Sequence, residues 1–209
     1  YGALQKGVTP KQALKFAKQI NDRLGVPLAV MTYCNILYRP GFDAFLGEAK
    51  ASGVDGVIIP DLTFEESAEL KRYASKHGMD TIFLVSPNTS EQRIRAVVNA
   101  TTGFLYLVSV YGTTGERESF EDYTAQAIRK VKKHGSRSGV PLAVGFGVSR
   151  QQHVRFMLGA GADAVIVGSA FVNLIEEGKR EQQKDEDILG RIESLAKSLK
   201  EATREPSPG

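Results

Sequence analysis

The stretch VPLAVGFGVS, residues 140–149, passes from a short apolar run through two glycines to a serine, and ADAVIVGSA, residues 162–170, repeats the pattern. Both runs are brief, rich in branched side chains and almost uninterrupted, as strands of a parallel sheet are when both faces are buried. Four earlier runs read alike: VPLAVM at 26–31, VDGVII at 54–59, TIFLV at 81–85 and FLYLVSV at 104–110. Amphipathic stretches lie between them. Lys11–Leu24 sets Leu14, Ala17, Ile20 and Leu24 at helical spacing. Phe64–Lys76 opens on Thr63 and Glu66, the pattern of a capping box, and stops at Gly78. Ser90–Asn99 and Ser149–Leu158 each begin on a serine suited to an N-cap, and Tyr123–Lys133 carries Ala127, Ile128 and Val131. Lys184–Ala202 closes the series, with Ile188, Ile192, Leu195 and Leu199 on one stripe.

Strand and helix alternate, so the fold class is α/β with a parallel sheet. A (β/α)₈ barrel takes about 250 residues and about 200 at the least. Six runs in 209 residues fit a complete doubly wound sheet or a barrel short of two strands. The Lys11–Leu24 helix precedes every strand, which favours the second reading. One barrel domain is expected over residues 1–202, with 203–209 a disordered tail.

Composition narrows the function. A formal net charge of +3, with basic residues scattered and no aromatic interleaving, argues against a nucleic-acid binder. The sole cysteine, Cys34, excludes an intramolecular disulfide and a cysteine metal cluster. His77, His134 and His153 read as helix residues without metal-ligand spacing, so no metal is expected. With no long apolar span and no visible signal peptide, the expected compartment is the cytoplasm.

Ligands of such sheets sit at the carboxyl ends of the strands. Gly145–Ser149 and Gly168–Ala170 stand there. Their glycines either make tight turns or let backbone N–H groups approach a phosphate; occurring as a pair before helices, they point to phosphate. Gly112–Phe120 reads as a lid or a plain solvent loop. Asp61 follows its strand directly, as a base, a surface contact or, as the favoured reading, a cap for the next helix. Tyr33 and Tyr106 are core aromatics or pocket walls, and Tyr106 alternates so as to face the interior. Cys34 reads as a small packed residue.

The segments TYCN at 32–35, GVDGVIIPDL at 53–62, FLVSPN at 83–88, FLYLVSVYGTTG at 104–115, PLAVGFGVS at 141–149 and VIVGSAFV at 165–172 resemble, in this order and spacing, the tryptophan synthase alpha subunit family. The resemblance runs from Gly7 to about Ile175. It implies a (β/α)₈ TIM barrel and a lyase that cleaves indole-3-glycerol phosphate to indole and glyceraldehyde 3-phosphate, in tryptophan biosynthesis. It implies no cofactor of its own, pyridoxal phosphate belonging to a beta subunit that takes the indole. Carried over by position, Gly115, Gly147, Gly168 and Ser169 hold the phosphate, with Phe146 beside it. Tyr33, Tyr106 and Ile166 line the indole pocket. Thr114 supports catalysis from the lid, and Asn35 and Asp61 face the beta subunit.

The family's catalytic glutamate and aspartate stand in segments resembling E-x-G-x-P-F-S-D-P and A-D-G-P, and neither segment occurs in these residues. The resemblance therefore implies a barrel lacking strands 1 and 2 and helix 1, with about six βα units remaining. The expectation is that these 209 residues alone are inactive and aggregation-prone. The alternatives are a free-standing indole-releasing lyase and a non-catalytic phosphate- or partner-binding scaffold. Another phosphate-binding barrel, an aldolase or epimerase, is disfavoured because no lysine stands at a strand end.

Overall fold

Thr9 opens the first helix. Its side chain accepts the Gln12 N–H, and Gln12 Oε1 accepts the Thr9 N–H at 2.8 Å. This reciprocal cap, with Pro10 next to it, starts α1 (Pro10–Leu24). The computed structural model describes residues 7–108, 117–145 and 147–204. The chain falls into two compact units, 1–83 with 99–104 and 84–98 with 105–209.

In the first unit, β1 (Ala29–Met31), β2 (Gly56–Ile58) and β3 (Asp80–Ile82) form a parallel sheet in chain order, with Val30 beside Val57 and Val57 beside Thr81. Helices α2 (Cys34–Tyr38), α3 (Phe42–Ala51) and α4 (Ala68–Lys76) alternate with the strands. The central strand β2 is buried throughout and joins a core that includes Leu37, Leu46, Val54, Val57 and Leu70. Each such side chain contributes about 1.5–3 kcal/mol on burial. Asp55 ties the strand starts together. Its carboxylate accepts the Leu28 N–H at 3.0 Å and pairs with Lys50 at 3.3 Å.

The second unit holds β4 (Leu84–Val85), β5 (Leu105–Val108), β6 (Leu142–Gly145) and β7 (Ala164–Ile166), parallel and in that order. Its helices are α5 (Glu91–Ala100, whose last two residues fall in the first unit), α6 (Arg117–Ser138), α7 (Gln151–Gly159), α8 (Ser169–Arg180) and α9 (Asp185–Glu201). Leu105, Leu107, Leu142 and Val144 are fully buried, as are Ile94 and Ile128 on the covering helices. Asp163 repeats the device of Asp55: it accepts the Leu142 N–H at 2.7 Å and pairs with Lys132.

The α/β reading holds, and several local expectations do not. The run at 81–85 is divided by Phe83 into β3 and β4, which belong to different sheets. β1 and β7 were expected to be covered on both faces; they are instead partly exposed, each pairing with one neighbour among the described strands. The helix expected from Phe64 starts at Ala68. Thr63 Oγ1 donates to Glu66 Oε2 at 2.9 Å, but their interaction closes a turn ahead of the helix. Ser149 is not an N-cap: α7 begins at Gln151, and the Ser149 N–H donates to His153 Nδ1 at 3.3 Å. Ser90 does cap α5, accepting the Arg93 N–H at 3.3 Å. Thr203 and Arg204 form a turn closing α9, with Thr203 Oγ1 donating to Lys200 O at 2.7 Å. The rest of the expected tail, 205–209, lies outside the described residues.

Candidate active site

Strands β5, β6 and β7 end side by side, with Val108 paired to Gly145 and Gly145 to Ile166. Gly145 is the pivot of this edge. A methyl group on it would stand 2.8 Å from Ile166 Cβ and 2.9 Å from Tyr106 Oη. Two side chains expected in one pocket, Tyr106 and Ile166, therefore converge over a position that only glycine fits. Tyr106 is buried, and burial holds its hydroxyl above the usual phenol range. It stays protonated at neutral pH. Gly145 was read only as part of a phosphate loop; the structure makes it the last residue of β6, packed under Tyr106 and Ile166.

Gly147 and Gly168 each stand two residues beyond a strand end on adjacent strands. Gly147 adopts a left-handed φ of 69°, which costs a side-chain-bearing residue about 1–2 kcal/mol. Gly168 is the N-cap of α8 and carries no capping side chain. The N–H groups of Phe171 and Val172 donate to Gly168 O at 3.0 and 3.2 Å. Those of Ser169 and Ala170 precede these bonds and belong to the helix's unfulfilled first turn. Gly147, Gly168 and Ser169 are all exposed. An open helix start with two glycines beside it suits a phosphate dianion. Next to it, a groove of about 960 Å³ runs between α8 and α9 from Ser149 and Ala170. Its charged lining is Glu177, Glu186, Asp187 and Arg191, with Arg191 paired to Glu177 at 3.0 Å, so the groove is acidic on balance and poorly suited to an anion.

Thr114, Gly115 and Phe146 lie outside the described residues, as does the expected lid up to residue 116. The last part of that loop, 117–120, is the first turn of α6.

Tyr33, Asn35 and Asp61 lie in the first unit. Tyr33 is 66% exposed, and Asn35 and Asp61 are exposed too. Asp61 does cap a helix, but an earlier one than expected. Both its oxygens accept the Cys34 N–H, at 2.9 and 3.1 Å, so the residue after β2 caps α2, the helix after β1. Burial pushes the Cys34 thiol up, against a hydrogen bond with Tyr38 that lowers it, so Cys34 is packed and poorly nucleophilic. Among the described residues, no group of three or more His, Cys, Asp or Glu is placed to hold a metal ion. Among them, too, no helix is long and apolar enough to cross a membrane.

A sequence profile of the tryptophan synthase alpha chain matches residues 1–204. The tryptophan synthase alpha chain of Methanosarcina barkeri is 40% identical over 205 residues, covering 98% of this chain and 73% of that one. That of Pyrococcus furiosus is 41% identical over 195 residues, covering 91% and 77%. Among solved structures, the tryptophan synthase a2b2 complex from Pyrococcus furiosus aligns with a TM-score of 0.82 at 39% identity, covering 96% of this chain and 76% of that one. Parallel strands alternating with helices, a glycine-flanked helix start at the strand ends and these similarities agree: the chain belongs to the tryptophan synthase alpha chain family, with its TIM-barrel type of fold.

Proposed function

We propose that the protein cleaves indole-3-glycerol phosphate to indole and glyceraldehyde 3-phosphate. The observation that carries this is the convergence of Tyr106 and Ile166 over Gly145, on strands neighbouring the open start of α8. A flat apolar ring fits against the first feature and a phosphate against the second. Gly147, Gly168 and Ser169 hold the phosphate, with Gly115 and Phe146 assigned to it by resemblance. Tyr106 and Ile166 flank the indole. Tyr33 is assigned to it by resemblance alone, as Thr114 is to the lid.

The reaction is a retro-aldol cleavage. Indole C3 takes a proton, and the adjoining glycerol hydroxyl loses one. The bond between C3 and the carbinol carbon breaks, its electron pair stays with the indole, and the carbinol carbon becomes the aldehyde. Atoms and electrons balance without a cofactor. A proton donor and a base are required. Asp61 is engaged on Cys34 through both oxygens and is unsuited to either role. Neither acidic segment that the resemblance assigns to the donor and base occurs in these residues; Glu116, the other carboxylate near the strand ends, lies outside the described residues, and we infer that the donor and base are not among these 209 residues and that about six of the barrel's βα units are present in them. We further place Asn35 and Asp61 at the contact with a beta subunit that takes the indole, and the protein in the cytoplasm.

The test is indole release from indole-3-glycerol phosphate by the 209-residue chain and by the same chain extended upstream in its reading frame. Activity confined to the extended form is expected. Activity in the short chain would overturn the assignment of the donor and base, and inactivity of both would overturn the proposed substrate.

A further inference from the structure

One string of residues, GVPLAV, occurs twice, at 25–30 and at 139–144. It leads into β1 in the first unit and β6 in the second, and both times its glycine has a left-handed φ, 59° at Gly25 and 71° at Gly139. The correspondence continues through the following helix and strand. α3 ends at Ala51 and α7 at Gly159, and the bonds that close them match. The Gly53 N–H donates to Lys50 O at 2.9 Å and the Val54 N–H to Ala49 O at 3.1 Å; the Gly161 N–H donates to Leu158 O at 3.0 Å and the Ala162 N–H to Met157 O at 3.1 Å. Asp55 and Asp163 then make the same pair of bonds with Leu28 and Leu142, the corresponding leucines of the two strings. Their N–H groups donate to the leucine O at 2.7 and 2.9 Å, and their carboxylates accept the leucine N–H at 3.0 and 2.7 Å. Ala29, Val30 and Met31 pair with Gly56, Val57 and Ile58, as Ala143, Val144 and Gly145 pair with Ala164, Val165 and Ile166. A left-handed glycine after a helix is common. A shared string, a shared carboxylate clasp and a shared register are separate agreements, so 25–61 and 139–169 repeat one βαβ arrangement.

The two copies part at the carboxyl ends of their strands. Cys34 and Val148 hold corresponding places beyond β1 and β6, and both are buried. Asp61 and Ser169 hold corresponding places beyond β2 and β7. In the first copy these places are joined, since both Asp61 oxygens accept the Cys34 N–H, at 2.9 and 3.1 Å. In the second copy Ser169 is uncharged and exposed, and Gly147 and Gly168 stand where the first copy has Tyr33 and Pro60. The first copy therefore carries an anion of its own with bulk beside it. The second carries a hydroxyl and two glycines, and leaves room for an anion from outside. Carboxylate and phosphate present the same charged acceptor oxygens to backbone N–H groups.

We propose that the Asp61 carboxylate occupies in the first copy the position that the substrate phosphate occupies in the second, and so confines phosphate to one of two related places. The phosphate half of this rests on the proposed function; the correspondence of the copies does not. Asp61 is a specificity-determining residue in this role, because it fills a place rather than touching the substrate.

The experiment compares the complete protein, upstream segment included, with Ser169→Asp and Ser169→Asn, with inorganic phosphate as the probe. Ser169→Asp writes the first copy's charge into the second, and Ser169→Asn adds similar bulk without it. Ser169 is exposed at the start of α8, where a carboxylate is favourable, so Ser169→Asp is expected to keep Tm within about 2 °C of the parent. Amide hydrogen exchange at Val148 reads whether the introduced carboxylate makes the cap seen at Cys34. Without phosphate, that exchange is expected to slow about tenfold or more in Ser169→Asp. Near-saturating phosphate is expected to raise Tm by about 5 °C in the parent, by part of that in Ser169→Asn, and not at all in Ser169→Asp. Unchanged exchange at Val148 in Ser169→Asp would overturn the correspondence of the two places, whether or not phosphate binds. An undiminished phosphate response in Ser169→Asp would overturn the shared position, and an equal loss in Ser169→Asn would trace the effect to bulk and overturn the role of charge. Protection of Val148 in Ser169→Asp, beside a parent that phosphate does not stabilise, would leave the correspondence standing and sink the phosphate reading.

Discussion

At Asp61 a single carboxylate is offered two jobs, and one substitution separates them. Its oxygens cap α2 through the Cys34 N–H, and the resemblance assigns it to the beta-subunit contact. Asn keeps an acceptor oxygen and removes the charge; Ala removes both. Asp61→Ala is expected to lower Tm by about 2–4 °C, the cost of a lost cap, and Asp61→Asn to leave Tm within about 1 °C. If Asp61→Asn nonetheless weakens beta-subunit binding in a titration, the charge serves the interface. Equal Tm losses in both variants would remove the capping account. Gly145 supplies a second test. An added methyl overlaps Tyr106 Oη and Ile166 Cβ, and overpacking of this kind costs about 1–3 kcal/mol. Gly145→Ala is expected to lower kcat/KM of the complete protein at least tenfold, with partial recovery when Ile166→Ala is added. Unaltered kinetics would mean that the pocket lies elsewhere. Residue-level features were legible unevenly. Tyr106 stood out because it alternates along its strand and Ile166 only through the resemblance, whereas the cap from Asp61 joins residues 27 apart, a distance that no local pattern spans.

Among the elements, the strand starts carry the fold's electrostatics. Asp55 and Asp163 each accept an N–H at the start of the neighbouring strand and each pair with a lysine. The Leu28 N–H, chiefly, and Lys50 hold the Asp55 carboxyl below the usual range. Burial raises Asp163, but Lys132 and the Leu142 N–H outweigh it, so it too is lowered. A carboxyl lowered by folding stabilises the native state above its unfolded pKa and loses that contribution as the pH falls through its folded value. Stability is therefore expected to drop as acid is taken below about pH 4, the ordinary aspartate range. Asp163→Asn keeps an acceptor for Leu142 but loses the charge. Its urea-unfolding midpoint is expected to change less between pH 5 and pH 3 than that of the parent. An unchanged slope would assign the acid sensitivity to other carboxyls. The elements themselves were largely legible, because branched apolar runs and helical stripes are local signals. Their limits were less so. Phe83 divides a run that composition leaves whole, and α7 starts two residues after Ser149 because the Ser149 N–H goes to His153. The exposure of β1 and β7 was hidden for a different reason: apolar sequence reports a preference for cover, and the cover itself comes from neighbours the run does not encode.

For the molecule as a whole, that missing cover has a measurable consequence. In the first unit Phe16 and Leu24 on α1 are 61% and 67% exposed, and Met31 on β1 is half exposed. In the second unit Leu189 on α9 is 63% exposed, with Val172 on α8 half exposed. On α1 the uncovered side chains adjoin the buried Leu14, so part of the helix's apolar face is packed and part meets solvent. Large apolar side chains clustered on a surface drive association, and a strand with one partner offers unpaired backbone groups to another chain. The 209-residue chain by itself is therefore expected to self-associate, with light scattering that rises steeply with protein concentration on warming and a melt that is broad and irreversible. Replacing Phe16, Leu24 and Leu189 by lysine removes apolar surface that contributes little to either core. It is expected to delay scattering while leaving the far-UV circular dichroism unchanged. Self-association undiminished in this triple variant would trace the effect to the strand edges instead. A sharp, reversible two-state melt of the parent monomer would show that neither the apolar faces nor the edges compromise the fold.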